Sequence, residues 1–341
     1  MLFRSDAGSP TRHARPDIGP PALVQPAFLW LVAALLVTTT VEAQPFPSKP
    51  VRLIVPFSPG GGTDITARAI AQKLGERWGH QVVVDNRPGA AGDIGADIVA
   101  HAAPDGYTLL AITATHTVSA ALRSKMTYDL LRDLTPLSQV TSLPYMLVVH
   151  PSLPVKTVRE LIALAKTKNG GLTYGSSGIG SLGHLAGALL ATASGAQVLY
   201  VPYKGSAPAV ADVMAGQLDM AFPTILQATQ VRSGRLRAIG VTGLKRSAAL
   251  PDVPTIAESG VPGYEINQWN GLLAPPKMPA ALAARLSGDI NDVLAQADVR
   301  ARLGADGSEA VGTSPQFFAD LLRTEIAKWK KLSQDAGIRI D

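Results

Sequence analysis

Apolar residues along this chain alternate between two spacings. Val51-Arg52-Leu53-Ile54-Val55 is a short, β-branched run that reads as a buried strand. Further on, Ala67, Ile70, Ala71, Leu74 and Trp78 recur at helical spacing and fall on one face. Between them lies Ser58-Pro59-Gly60-Gly61-Gly62, where Pro and Gly cannot continue a ladder. Thr63 or Asp64 is expected to cap the helix that follows. The pattern then repeats. Gln81–Asp85 is a second strand, Asn86–Gly92 its loop, Asp93–Ala100 a helix start and Tyr107–Ile112 a third strand. Such alternation predicts an α/β fold with a parallel sheet. A sheet of that kind binds ligands at the carboxyl ends of its strands.

The middle of the chain repeats the device. Leu172-Thr173-Tyr174 reads as a strand, Gly175–Gly180 as its loop, and Ser181 as the cap of a helix with Leu182, Leu185, Leu189 and Ala193 on one face. Val198–Val201, Met220–Phe222 and Arg235–Val241 supply further strands. Two flanking stretches share a layout of strand, Pro-rich turn and helix. The first runs from Ser142 through His150–Pro154 to a helix over Val158–Ala165. The second runs from Asn267 through Ala274-Pro275-Pro276 to a helix over Ala281–Val293. They read as outward and returning crossovers between two domains. The expected division is 44–143 with 270–341 as domain I and 144–269 as domain II. Ser314-Pro315 opens a closing amphipathic helix with Phe318, Leu322, Ile326 and Trp329 on one side.

Composition narrows the function. The chain has 341 residues, 46% hydrophobic and 17% charged, enough for about two domains with sizeable cores. It has no cysteine, which excludes disulfides, thiolate metal sites and cysteine nucleophiles. A net charge of +5 without a basic run makes nucleic acid an unexpected partner. Ala27–Val37 is apolar but short for a membrane span, arginines precede it and Val41-Glu42-Ala43 follows it. Residues 1–43 therefore read as a cleavable signal peptide, and the mature protein is expected in the periplasm.

Binding is the chemistry these loops suggest. Glycines let bare N–H groups approach a ligand, and a helix N-terminus favours negative charge. Gly178-Ile179-Gly180-Ser181-Leu182-Gly183 matches a dinucleotide fingerprint, yet Tyr203-Lys204 stands where that fingerprint wants an acid. A Rossmann-type NAD(P)-dependent oxidoreductase is thus the alternative reading. His184 can donate to a carboxylate, and Asp64 and Asp219 can orient a glycine loop or a ligand amine. Phe57, Tyr203 and Trp269 can wall a cleft. His116 and His150 have no spaced partners for a zinc site, and no nucleophile–base pair is evident. No catalytic residue, metal or cofactor is expected.

Together the motifs resemble one family. Pro56–Asp64, Asn86–Gly92, Gly175–Gly178, Val201–Gly205, Pro251–Thr255 with Glu258, and Trp269-Asn270-Gly271 are similar, in order, to the tripartite tricarboxylate transporter receptors, the Bug-type solute-binding proteins. The resemblance covers essentially all of residues 45–341. It implies a two-lobed, type II periplasmic-binding-protein fold with a hinge and an interdomain cleft, holding a small carboxylate (an organic acid or acidic amino acid) mainly through loop N–H groups, hydroxyls and water. It depicts a non-enzymatic, monomeric receptor serving a membrane transporter or a sensor. The expected ligand residues are Phe57, Ser58, Gly60, Gly61, Thr63 and Asp64; Gly89 and Ala90; Ser176, Ser177, Gly178, Ser181 and His184; and Tyr203, Lys204 and Asp219. Two positions depart from the family: Ala91 where a glycine is common, and Ala221-Phe222-Pro223 in place of an acid-containing strand end.

Overall fold

The computed structural model describes Gly19, residues 46–305 and residues 307–340, so the signal-like segment lies outside the described residues. The chain opens with β1 (Val51–Val55), α1 (Gly62–Trp78), β2 (Val82–Asn86), α2 (Asp93–Ala100), β3 (Thr108–Thr113) and α3 (Ala114–Leu122). Then come β4 (Thr135–Pro144), β5 (Met146–Val149), α4 (Val158–Thr167), β6 (Leu172–Ser176), α5 (Leu182–Ser194), β7 (Val198–Pro202) and α6 (Ser206–Met214). The chain continues through β8 (Met220–Ala221), α7 (Ala228–Arg232), β9 (Arg237–Val241) and β10 (Asn267–Ala274). It closes with α8 (Ala280–Ala295), α9 (Ala297–Gly304), β11 (Glu309–Ala310) and α10 (Pro315–Ala336).

The strands divide between two sheets, of order β11-β4-β10-β3-β1-β2 and β7-β6-β8-β5-β9. Arg52-Leu53 and Thr173-Tyr174 therefore stand in different sheets, and the molecule is two-lobed. The first strand is buried because α1 covers it: Ala67, Ile70, Ala71 and Leu74 turn inward and pack with Val51, Leu53 and Val55.

Neither sheet is purely parallel, which corrects the expectation from the α/β alternation. β10 runs against both β3 and β4, and β5 runs against both β8 and β9. The crossings explain this. β4 leaves the first sheet at Pro144, beyond the carboxyl end of β3, and only Tyr145 separates it from β5. β5 enters the second sheet from the edge where β8 and β9 finish, with the Met146 N–H bonded to the Pro223 carbonyl at 2.8 Å. β9 ends at that same edge, and β10 re-enters the first sheet where β3 finishes. Both crossings therefore join carboxyl edge to carboxyl edge. A strand that enters a sheet at this edge must run opposite to its α/β neighbours, as β5 and β10 do, and the carboxyl edges of the two sheets are brought together.

A continuous core also spans the lobes. α10 packs on α3 and on α5, and its Phe318, Leu322, Ile326, Trp329 and Leu332 belong to one buried cluster with residues of both sheets. Trp269, expected to wall a cleft, lies in this core at 2% exposure, edge-on to Phe318.

Candidate functional site

The loop after β1 is held in shape from within. Gly60 has a φ of 81°, the left-handed region that glycine enters freely. Its N–H donates to the Asp64 carboxylate at 2.9 Å. Arg68 Nε and Asn86 Nδ2 donate to the same carboxylate, each at 2.9 Å, and Asn86 also donates to the Phe57 carbonyl at 3.0 Å. Burial works to raise the Asp64 pKa, but the donors outweigh it and hold the group at about 2. Neither Thr63 nor Asp64 caps α1: the cap is Gly61, without a side-chain bond, and Asp64 lies within the first turn. This corrects the expected cap, because a carboxylate in the first turn reaches back to the loop more readily than it caps its own helix.

The second loop carries backbone strain. Gly89, Ala90, Ala91 and Gly92 have φ values of 133°, 48°, 58° and 105°. Two alanines in this region cost roughly 1–2 kcal/mol each. Gly92 is required by proximity, since a Cβ there would stand 2.7 Å from His116 Nε2. His116 is completely buried beneath this loop, with the Phe57 ring edge-on at 5.9 Å, and burial lowers its pKa. Sequence reasoning set His116 aside as a metal ligand and missed this supporting role. The Thr113-x-x-His116 spacing at a strand-to-helix junction, which forms a capping box here, was the available signal.

In the second lobe the loop after β6 is bonded even more closely. Ser181 Oγ donates to the Gly178 carbonyl at 2.7 Å, accepts from the His184 N–H at 3.3 Å and lies 2.9 Å from Ser176 Oγ. Ser176 Oγ is in turn 3.0 Å from the Tyr200 hydroxyl. The Gly180 N–H donates to His184 Nδ1 at 3.2 Å. Burial between Tyr174 and Tyr200 pushes the His184 pKa down to about 4, so the ring is neutral near pH 7. Gly187 lets α5 sit against β6, since a Cβ there would meet the Tyr174 ring at 2.1 Å.

These contacts sort the expected ligand residues. Ser58 and Ser177 are exposed and Thr63 half-buried, and among the described residues nothing engages their hydroxyls. Gly60, Gly61, Gly89, Ala90 and Gly178 lie on the same carboxyl-edge loops. Asp64, Ser176 and His184 are at most 7% exposed, and the Asp64 carboxylate, the Ser176 and Ser181 hydroxyls and His184 Nδ1 are engaged within the protein. Phe57 buttresses the loops through its packing. Tyr203 donates from its hydroxyl to Asp212 at 2.5 Å, and that bond raises its pKa to about 12. Lys204 is exposed beside it. Asp219 is not brought to this edge. It accepts from the Thr173 N–H and Lys168 Nζ, each at 2.8 Å, at the amino end of β6. Burial raises its pKa, and Lys168 and Thr173 outweigh that and lower it. Two recesses of about 360 and 410 Å³ lie along α3 and α10 and share no residue with these loops. Among the described residues no group of His, Asp and Glu is placed to hold a metal ion.

Two α/β lobes whose strand ends meet across paired crossings define a solute-binding protein of the periplasmic-binding type. Residues 66–338 match the family described as the tripartite tricarboxylate transporter family receptor, and the chain belongs to that family. BugT of Bordetella pertussis is 35% identical over 314 residues, covering 91% of this chain and 96% of BugT. An R. palustris protein solved with adipate is 38% identical with a TM-score of 0.71, covering 86% of this chain and 99% of its own. MatC from Rhodopseudomonas palustris, solved with bound malate, is 32% identical with a TM-score of 0.67, covering 84% and 99%. Nothing in these likenesses supports the dinucleotide-dependent alternative.

Proposed function

We propose that this protein is an extracytoplasmic receptor that captures a small carboxylate between its lobes without chemically changing it. The observation that carries the reading is the pair of glycine loops, each opening a helix, at strand edges joined by the two crossings. Solved relatives with bound adipate and malate support the ligand class. Recognition then runs through backbone N–H groups at Gly61, Gly89, Ala90 and Gly178 and through the hydroxyls of Ser58, Thr63 and Ser177, while the Gly60 N–H and the Ser181 hydroxyl, spent on Asp64 and on the Gly178 carbonyl, set the shape of the loops. Asp64, Phe57, Ser176, His184 and Tyr203 act by holding those loops, and Lys204 lies at the rim. Each helix N-terminus contributes up to about 2 kcal/mol toward an anion when partly buried, and each hydrogen bond to a carboxylate about 1.5–3 kcal/mol.

The lobes we adopt are 44–143 with 270–341, and 144–269. The division of strands between sheets supports this partition to within a few residues. Closure about the crossings would commit the ligand. The loaded receptor, a monomer in this reading, would serve a membrane transporter or a sensor. Export follows the signal-like segment, and among the described residues no helix is long and apolar enough to cross a membrane. Amino-terminal sequencing of the exported protein should begin near Gln44. Adipate and malate should raise its melting temperature, with calorimetry giving one site per chain. A protein that retains Trp30 and pellets with membranes would refute cleavage, and no response to any organic acid would refute the ligand class.

A further inference from the structure

The long return from β9 to β10 continues through 248–266, where Asp252 is exposed, Glu258 accepts from Arg246 and from the Thr255 N–H, and Glu265, beside β10, accepts from Asn267 Nδ2 at 3.1 Å. The seven short segments directly beyond the carboxyl ends of β1, β2, β3, β6, β7, β8 and β9 run over 56–65, 87–94, 114–117, 177–184, 203–206, 222–227 and 242–247. They carry two acids, Asp64 and Asp93. Neither is free. Asp64 is 3% exposed and takes the Gly60, Arg68 and Asn86 donors described above. Asp93 accepts from Arg123 Nη1 and from the Tyr128 hydroxyl, each at 3.0 Å, in the half-buried angle between α2 and α3. The strand end that leaves β8 offers buried Phe222 instead of an acid. A ligand ammonium placed among these loops would lose its water without meeting an unspent carboxylate, which is costly.

The same segments carry a second, independent signal. Ile65, Ile94, Ile179, Leu226 and Leu244 lie on five of them, each between 41% and 61% exposed. Ile94 lies over the Gly89 loop, its Cδ1 standing 2.5 Å from where a Cβ on Gly89 would be. Ile179 sits within the Gly178–Gly180 turn of the other lobe. Branched aliphatic side chains thus stand beside the N–H groups of both lobes.

We infer that the site selects carboxylates that have an aliphatic body and no amino group, so that acidic amino acids are not its ligands. This deepens the carboxylate-receptor reading and rests on it. The loops cradle the carboxylate, and the carbon chain beyond it meets Ile94, Ile179 and their neighbours. Each methylene buried there tightens binding about fourfold, the equivalent of ~0.8 kcal/mol.

Calorimetry on the exported protein with matched acids tests this. The pairs are adipate against 2-aminoadipate and glutarate against glutamate, with succinate, glutarate and adipate as a length series. The amino group is expected to weaken binding at least 30-fold, and affinity to rise along the series. Ile179→Asp, at a position 61% exposed, is expected to retain the wild-type melting temperature and weaken adipate at least tenfold. Equal or tighter binding of 2-aminoadipate, or an affinity flat with chain length, overturns this inference and leaves the carboxylate reading standing. Failure of every acid in both sets overturns the carboxylate reading and this inference with it.

Discussion

Asp64 shapes the first loop through three contacts, with the Gly60 N–H, Arg68 and Asn86. Its folded pKa of about 2 lies below the ordinary 3.8. Its stabilisation is therefore complete above pH 3.8 and is lost as the pH falls through about 2. The shift corresponds to about 2 kcal/mol. Asp64→Asn should lower stability by that amount at pH 7, and urea titrations at pH 7, 4 and 2 should show the gap to wild type closing toward acid. A gap that stays constant with pH would show that the charge is not what holds the loop. Ala91, at a φ of 58°, is strained where a glycine would not be. Ala91→Gly should raise stability by about 1 kcal/mol in the same assay. The sequence offered loop orientation as one role for Asp64 beside helix capping without choosing between them, and it marked Ala91 only as a departure from glycine. An acid after a glycine run looks the same whether it caps a helix or reaches back to the loop, and a backbone φ leaves no mark on an alanine.

At the scale of the element, the two glycine loops separate ligand approach from folding. Gly61 has a φ of −77°, open to any residue, and a Cβ there meets only the Ser58 carbonyl at an ordinary 3.6 Å. Gly61→Val should therefore keep the wild-type melting temperature while abolishing carboxylate binding, because the side chain projects where the ligand approaches. Gly178 has a φ of 128°, so Gly178→Val should lose stability as well as binding. Ser181→Ala removes the cap of α5, which costs about 1 kcal/mol, and should weaken binding only partly. A Gly61→Val protein that binds adipate as wild type does would show that the first loop does not cradle the ligand. These helices were legible because glycine, cap and apolar face fall in order along the chain. The direction of β5 and β10 was not, since apolar spacing has no sense of direction. Their direction depends on Tyr145 joining two edges and on the long return from Val241 to Asn267.

For the whole molecule, the shared core matters more than the division into sheets. Trp329 is fully buried on α10, its Nε1 donating to Thr117 Oγ1 at 3.1 Å, within the cluster that also holds Tyr174 and Ile239 of the second sheet. Gly180, on the second lobe's loop, lies against Ile340 at the end of the chain. Lobes joined only by two strands would be free to unfold separately. Lobes that share a buried helix face are expected to unfold together, since exposing one exposes the other's core. Trp329→Ala should cost about 3–5 kcal/mol. The loss should appear as one displaced transition, with far-ultraviolet circular dichroism and tryptophan fluorescence still coincident. Adipate at a hundred times its dissociation constant should then restore about 2.7 kcal/mol in wild type and variant alike. Two resolved transitions in the wild type, only one of them shifted by ligand, would show that α10 does not couple the lobes and that each sheet stands alone.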